Sequence, residues 1–352
     1  MQKSWRTILQ IAFTYIGTVV GAGFASGREI LEFFVRFGPY GLLGISIASV
    51  LFIWSGIQVM LVAQRIQAQS YQEVSFYLFG KTVGTFFNTT LLLVLIGTTS
   101  VMLAFTGSLF QESFHLPAQI GIWTSMILIF LVTARGMDAI HKVNSIFVPI
   151  LIGFTLLVFF YTKPWDTTAS VTGFPLDELD SEGWLQSPIY YVSLNVALAQ
   201  AVLIPIGREC SSRRTLFYGG LAGGLGIGFL LFLAYTSLLA NMPHVQFVDT
   251  PTIFILSGLG KTITFLFALL VYAEVFSSLV ANLFGLVEQV RSYFDIHFSL
   301  LLCIILLICY GVSFVGFSSL LTILYPLFGQ IVVFFLVMLF YRQMMDKSKQ
   351  WN

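Results

Sequence analysis

Charge is scarce in this chain. Only 9% of its 352 residues are Asp, Glu, Lys or Arg, against about a quarter in an ordinary soluble domain. In their place 57% of residues are hydrophobic, and mean hydropathy is +0.90. No soluble core hides that much apolar surface, so the solvent of this protein is a lipid bilayer. A net charge of +1 leaves no electrostatic footprint for nucleic acid. Cysteine is nearly absent. Cys210, Cys303 and Cys309 have no CxxC spacing and read as small apolar packers. The four histidines, His115, His141, His244 and His297, fall at span ends or in loops. There is no HExxH and no GxSxG, which argues against an intramembrane enzyme, and no TVGYG filter or charge ring, which argues against a channel.

What the chain does have is long apolar runs. Ten spans are expected, at 7–37, 39–64, 82–110, 117–134, 139–162, 187–209, 214–240, 261–290, 297–316 and 318–342. Each approaches or exceeds the ~20 residues that cross ~30 Å of hydrocarbon. The expected fold is an all-α membrane protein of ten transmembrane helices. Residues 70–80 and 251–258 are too short to span and read as surface-lying helices, the second with Thr250 as N-cap and Pro251 in its first turn. Residues 163–185 form the long polar loop. Lys3, Arg6 and the apolar stretch 8–20 before GAGFASG imitate a signal peptide. The apolar run continues through Ile30–Phe37, however, and the pattern returns deep in the chain.

Lysine and arginine set the expected orientation. With the N-terminus inside, thirteen of the 17 fall on inner segments; Arg36, Lys163 and Lys261 fall outside, and Arg28 lies within a span. This positive-inside bias places both termini in the cytoplasm, in a bacterial cytoplasmic membrane.

The stretch GTVVGAGFASGREI, residues 17–30, puts four glycines and a charge pair inside the first span. Its Gly27-Arg28-Glu29 returns 180 residues later as Gly207-Arg208-Glu209, at a matching position in span 6. Five spans separate the copies, and five is odd, so the second half enters the membrane from the opposite face. That predicts a 5+5 inverted repeat within one transport domain, 1–352: repeat 1 at 7–162, outer loop 163–185, repeat 2 at 187–342. Both matching spans carry helix breakers, the glycine cluster in span 1 and Pro205 in span 6. Helices 1 and 6 are therefore expected to be broken. Freed backbone groups cost several kcal/mol in hydrocarbon, so they must line a cavity or meet a ligand. Ser26-x-x-Glu29 reads as a capping box starting a new half-helix. Arg28 and Arg208 read as salt-bridge partners steadying half-helices.

At these residues the chain resembles the amino acid–polyamine–organocation superfamily, with the LeuT-type fold. Gly21-Ala22-Gly23-Phe24 is similar to the family's Gly-Ser-Gly-Ile-Phe motif in span 1. Ile206-Gly207-Arg208-Glu209 is similar to its Phe-x-Gly-x-Glu motif in span 6. Arg135-Gly136 through Val143-Asn144 resembles the start of span 5. The closest likeness is to the YkvI-like bacterial membrane proteins, a permease group. The resemblance implies that amides around Gly21, Ala22 and Gly23 take a substrate carboxylate, and that carbonyls around Leu203, Ile204 and Pro205 take an ammonium group. An amino acid or similar small zwitterion fits both poles. The family often places an aromatic residue near 203–205, and here there is none.

Glu274 lies near the middle of span 8, where a carboxylate costs about 2.5–3.5 kcal/mol to insert and is functional by default. A protonated or paired structural carboxyl is the alternative. Ser277 and Ser278 follow at i+3 and i+4 on the same helix face. LeuT-type sodium transporters use a similar spacing, with span-1 carbonyls matching Gly17 and Val20, so the resemblance implies a sodium site of Gly17, Val20, Glu274, Ser277 and Ser278. Packing by small residues is the alternative for the serines. Some proton-coupled relatives carry a span-5 lysine in the sodium position; Leu151 stands there in this chain.

The expected function is an ion-coupled symporter without organic cofactor. Sodium is favoured, with a proton carried by Glu274 as second choice. A sensor on the same fold that binds without transporting is the competing reading. Asn195, Gln200 and Asn282 are expected to bond between helices, Thr98, Thr99 and Ser100 are candidates to face the pocket, and the 36 phenylalanines are expected mostly to face lipid. Substrate side chain and oligomeric state are left open.

Overall fold

The computed structural model describes residues 2–133, 140–165, 182–291 and 296–348. The apolar runs form helices, and no strand occurs among the described residues. The first run is in three pieces, α1 (Gln2–Val19), α2 (Ala22–Ser26) and α3 (Arg28–Phe33), followed by a 3₁₀ turn at Val35–Phe37. Then come α4 (Tyr40–Ile66), α5 (Tyr71–Ser113), α6 (Ala118–Thr133) and α7 (Ile140–Thr162). The second half holds α8 (Gln186–Glu209), α9 (Arg213–Leu239), α10 (Pro251–Leu256), α11 (Lys261–Arg291), α12 (Phe298–Ser313) and α13 (Phe317–Ser348).

Six of these, α4, α5, α8, α9, α11 and α13, are long and apolar enough to cross a membrane. Helices α6 and α12 have 16 residues, about 24 Å of helix at 1.5 Å per residue, short of the hydrocarbon thickness. The expected surface helix at 70–80 is the leading part of α5, set off by Gly80 at φ +77°. The one at 251–258 is α10, with Pro251 in its first turn as expected. Its capping differs: no Thr250 side-chain cap forms, because that hydroxyl is drawn to Glu112. Arg135-Gly136 and the acids Asp166, Asp177, Glu178 and Asp180 of the polar loop lie outside the described residues.

The core is built around α8, which packs between α4 and α13, and α9, which packs on α1 and α4. Glycines make the second contact possible. A Cβ at Gly224 would lie 2.7 Å from the Ile53 backbone, and one at Gly223 would lie 2.7 Å from the Tyr15 ring. Without side chains in the way, helix backbones approach closely, the main route to tight packing where lipid removes the hydrophobic drive. Some phenylalanines are interior packers, outside the lipid-facing role expected for most of them. Phe33, Phe34, Phe37, Phe52, Phe105, Phe267 and Phe335 are fully buried.

Span 6 also departs from expectation. Helix α8 runs unbroken from Gln186 to Glu209 with Pro205 inside it, so of the two spans expected to be broken the first is and the sixth is not. The stretch from Gln186 to Pro205 has no glycine and is rich in alanine, valine and leucine. Pro205 sits about one turn from the helix end, where it forfeits a single backbone bond, to Ala201. Both residues are exposed, so the orphan carbonyl stays accessible. The two Gly-Arg-Glu copies therefore do different work. Gly27 takes φ +84° and divides two helices, whereas Gly207 stays helical and lets α8 lie directly on the Met60 carbonyl of α4.

Candidate functional site at the break in the first span

Helix α1 closes with Val20 N–H donating to the Ile16 carbonyl at 2.7 Å, and the next backbone bond across the break runs from Ala25 N–H to the Gly21 carbonyl at 3.0 Å. Between them, at Val20-Gly21, the chain is extended, with Gly21 at φ −97° and ψ −156°. A helix end leaves its last four carbonyls and its first four amides without internal partners. Among the described residues no main-chain bond takes up the carbonyls of Gly17 or Val20, or the amides of Gly21 or Gly23. Acceptors and donors are thus presented side by side in the middle of an apolar run. The side of Gly21 that a Cβ would occupy is open, with nothing within 4 Å.

A second break follows at Gly27. The expected capping box does not form. Gly27 is the residue before α3, and Ser26 Oγ instead donates to the Gly23 carbonyl (2.9 Å) and accepts from Arg28 N–H (3.1 Å). Glu29 is thereby released from capping. Its carboxyl lies directly over Gly23, where any Cβ would overlap it, and the Tyr325 hydroxyl of α13 lies beside it.

The expected cation ligands come from elements that converge on this break, without being joined directly to one another. Gly17 packs on Val148 of α7, at 2.5 Å from a would-be Cβ, and α2 packs on α11. On α11, Glu274 is 2% exposed and its Oε2 has no hydrogen-bond partner, Ser277 is buried and Ser278 half-buried. A small cavity of about 20 Å³ lies near the same elements, lined by Phe24, Ala25, Leu151, Thr155, Thr252 and Phe267 among others.

The expected ammonium site fares differently. Leu203 and Ile204 are fully buried and Pro205 is exposed, all within the unbroken α8. Unwound backbone was the physical basis for carbonyls there, and the continuous helix removes it. Most of the other candidate polar groups bond within their own helix. Asn195 Nδ2 donates to the Tyr191 carbonyl of its own helix (2.9 Å), and Gln200 Nε2 points to Ala197 (3.4 Å). Asn282 alone of the three reaches another helix, at Met102 Sδ (3.7 Å). Thr98, Thr99 and Ser100 bond back to Leu95 and Ile96 carbonyls.

A clasp beyond the break left no signal in the sequence. Arg28 makes no ion pair among the described residues. One of its terminal nitrogens donates to the carbonyls of Gln246 (2.8 Å) and Val248 (3.1 Å). Asp249 accepts from Ser108 of α5 (2.6 Å) and Ser318 of α13 (2.5 Å). Glu112 of α5 accepts from the amides of Asp249 (2.8 Å) and Thr250 (2.9 Å) and from the Thr250 hydroxyl (2.5 Å). The segment before α10 is thus tied to α3, α5 and α13 at once.

A broken first span, a short surface helix before α11 and a core of packed α-helices define a protein of the LeuT-type fold. In solved structures the chain superposes on MhsT in complex with L-phenylalanine, with a TM-score of 0.65 at 18% identity over 92% of this chain and 87% of that one. A mutant manganese transporter of Eremococcus coleocola gives 0.59 at 16% over 93% and 77%, and a Na+-coupled sialic acid symporter gives 0.60 at 13% over 90% and 72%. No protein-family model matches the chain. Among curated proteins it is 37% identical to the membrane protein YkvI of Bacillus subtilis (strain 168), over 96% of both chains, and 25% identical to YyaD of the same organism, over 98% of this chain and 99% of that one. The chain belongs to the YkvI family of membrane proteins.

Proposed function

We propose that this protein is an ion-coupled secondary transporter, carrying an amino acid or similar small zwitterion across the cytoplasmic membrane by alternating access. The observation that carries the proposal is the first-span break, where unpaired carbonyls and amides meet beside the open side of Gly21. A backbone that forgoes its hydrogen bonds inside a membrane must find ligands for them. The Gly21, Ala22 and Gly23 amides suit a carboxylate. The Gly17 and Val20 carbonyls, with Ser277, Ser278 and Glu274, are oxygen donors that suit a hard monovalent cation, sodium, as the coupling ion. Two of the solved neighbours are a sodium-coupled symporter and a protein bound to L-phenylalanine, which supports the same class of cargo and ion. Ten spans in a 5+5 arrangement, with both termini in the cytoplasm, complete the proposal. The Asp249 clasp would then close the extracellular face.

The test is uptake into proteoliposomes. Purified protein is reconstituted and offered radiolabelled amino acids under an inward sodium gradient, an inward proton gradient, or neither. Accumulation driven by sodium alone is expected. Accumulation driven by protons alone would move the coupling to a carboxyl. Binding with no accumulation under either gradient would make the protein a sensor.

A further inference from the structure

Three buried polar groups from three helices meet at the first-span break, and only one has a role in what precedes. Glu29 of α3 is 6% exposed, Tyr325 of α13 is 5% exposed and Tyr191 of α8 is fully buried. The Glu29 carboxyl lies on Gly23, and the Tyr325 hydroxyl is within its hydrogen-bonding reach. The Tyr191 ring is fixed by Phe33, Phe34 and Phe52, with centroids 5.2, 5.2 and 6.0 Å away. Its hydroxyl has no hydrogen-bond partner, and α8, which carries it, packs on both α3 and α13. Among the described residues Glu29 makes no ion pair. The neighbouring Arg28 is turned to the Gln246 and Val248 carbonyls, and Arg36 is taken by Glu32. A carboxyl and two phenols, with no cation paired to the carboxyl among the described residues, form a buried, acceptor-rich cluster. A buried polar group without a partner is costly and calls for one.

We infer that Glu29, Tyr325 and Tyr191 form the subsite for the ammonium group of the transported molecule. This rests on the zwitterion proposal and completes it. The unbroken α8 leaves the ammonium without the Leu203–Pro205 carbonyls, and Glu29 stands beside Gly23, one of the amides assigned to the carboxylate. A ligand carboxylate alone would be repelled by Glu29 there. An α-ammonium, one carbon from that carboxylate, screens the two and donates to Glu29 and a phenol oxygen. The site therefore prefers zwitterions to simple carboxylic acids. Gly23 is the positioning element, because any side chain there would push Glu29 aside.

The experiment uses the purified full-length protein. It is screened by thermal shift against the twenty common amino acids in sodium buffer, and the strongest stabiliser is then titrated alongside its amine and carboxylic-acid counterparts. Glu29→Gln, which keeps size and shape, is expected to weaken binding of the amino acid and the amine by about thirtyfold or more, while the carboxylic acid binds no worse. Tyr325→Phe, which removes one oxygen, is expected to weaken the same two ligands less. Unchanged amino-acid affinity in a folded Glu29→Gln protein overturns the subsite and leaves the transporter proposal standing. So does equal weakening of all three ligands, or loss only of the pH dependence of uptake, which would make Glu29 a proton carrier. If no amino acid stabilises the wild-type protein, the zwitterion proposal and the subsite fall together.

Discussion

Single residues decide what the first-span break can hold. Gly23 has no room for a methyl group, since the Glu29 carboxyl occupies that space. Gly23→Ala should therefore lower ligand affinity about tenfold or more with only a small fall in melting temperature, read by titration and by thermal unfolding of the same samples. Gly21 is the opposite case, open on its Cβ side. Gly21→Ala should fold normally and act only through whatever fills that space. Pro205 offers a third test. Helix α8 continues through it and its side chain is exposed. Pro205→Ala should leave ligand binding within about twofold and stabilise the helix, by no more than the ~3 kcal/mol that separates proline from alanine in a helix interior. A collapse of binding in that variant would mean that Pro205 breaks the helix in some working state.

Elements carry the next level of consequence. The segment before α10 is held by Arg28 of α3, Ser108 and Glu112 of α5 and Ser318 of α13. Asp249 is the centre of this clasp. Asp249→Ala leaves two serine hydroxyls without their acceptor, so amide hydrogens at 244–250 should exchange at least severalfold faster by mass spectrometry, while the α4 and α9 amides keep their protection. Helix α9 meets α4 through glycines at four-residue spacing, Gly220, Gly224 and Gly228, and meets α1 through Gly219, Gly223 and Gly226. Gly224→Val would place two methyl groups against the Ile53 backbone. Overpacking of this kind costs typically 1–3 kcal/mol, and a lower melting temperature in detergent with unchanged ligand chemistry is the expected result.

Across the whole molecule, the proposed coupling draws on groups from both halves of the chain. Gly17 comes from α1 and Val20 from the break that follows it, Ser277, Ser278 and Glu274 come from α11, and α7 packs on both α1 and α11. Substituting both serines by alanine should raise the sodium concentration for half-maximal uptake about tenfold or more. Glu274→Gln, by contrast, separates the ions: sodium-driven uptake that survives it frees Glu274 from coupling, and loss of proton-driven uptake assigns it there. Both measurements belong in sealed proteoliposomes, where the gradient is set rather than assumed.

The sequence by itself determined the solvent, the helical class and the place of the first-span break, because each follows from local quantities. Apolar runs of sufficient length must be helical in lipid, and four glycines within eleven residues cannot sustain one helix. It misled at Pro205 and at Ser26. Whether a proline breaks a helix depends on its distance from the end and on what surrounds the orphan carbonyl, and whether Ser-x-x-Glu caps depends on where the carboxyl is drawn. Those were settled by packing: Gly207 on Met60, Glu29 over Gly23 beside Tyr325, and the Asp249 clasp assembled from residues separated by up to 220 positions. Contacts between helices far apart in the chain leave no period or spacing to read. Only the tertiary structure could decide which polar residues share a site.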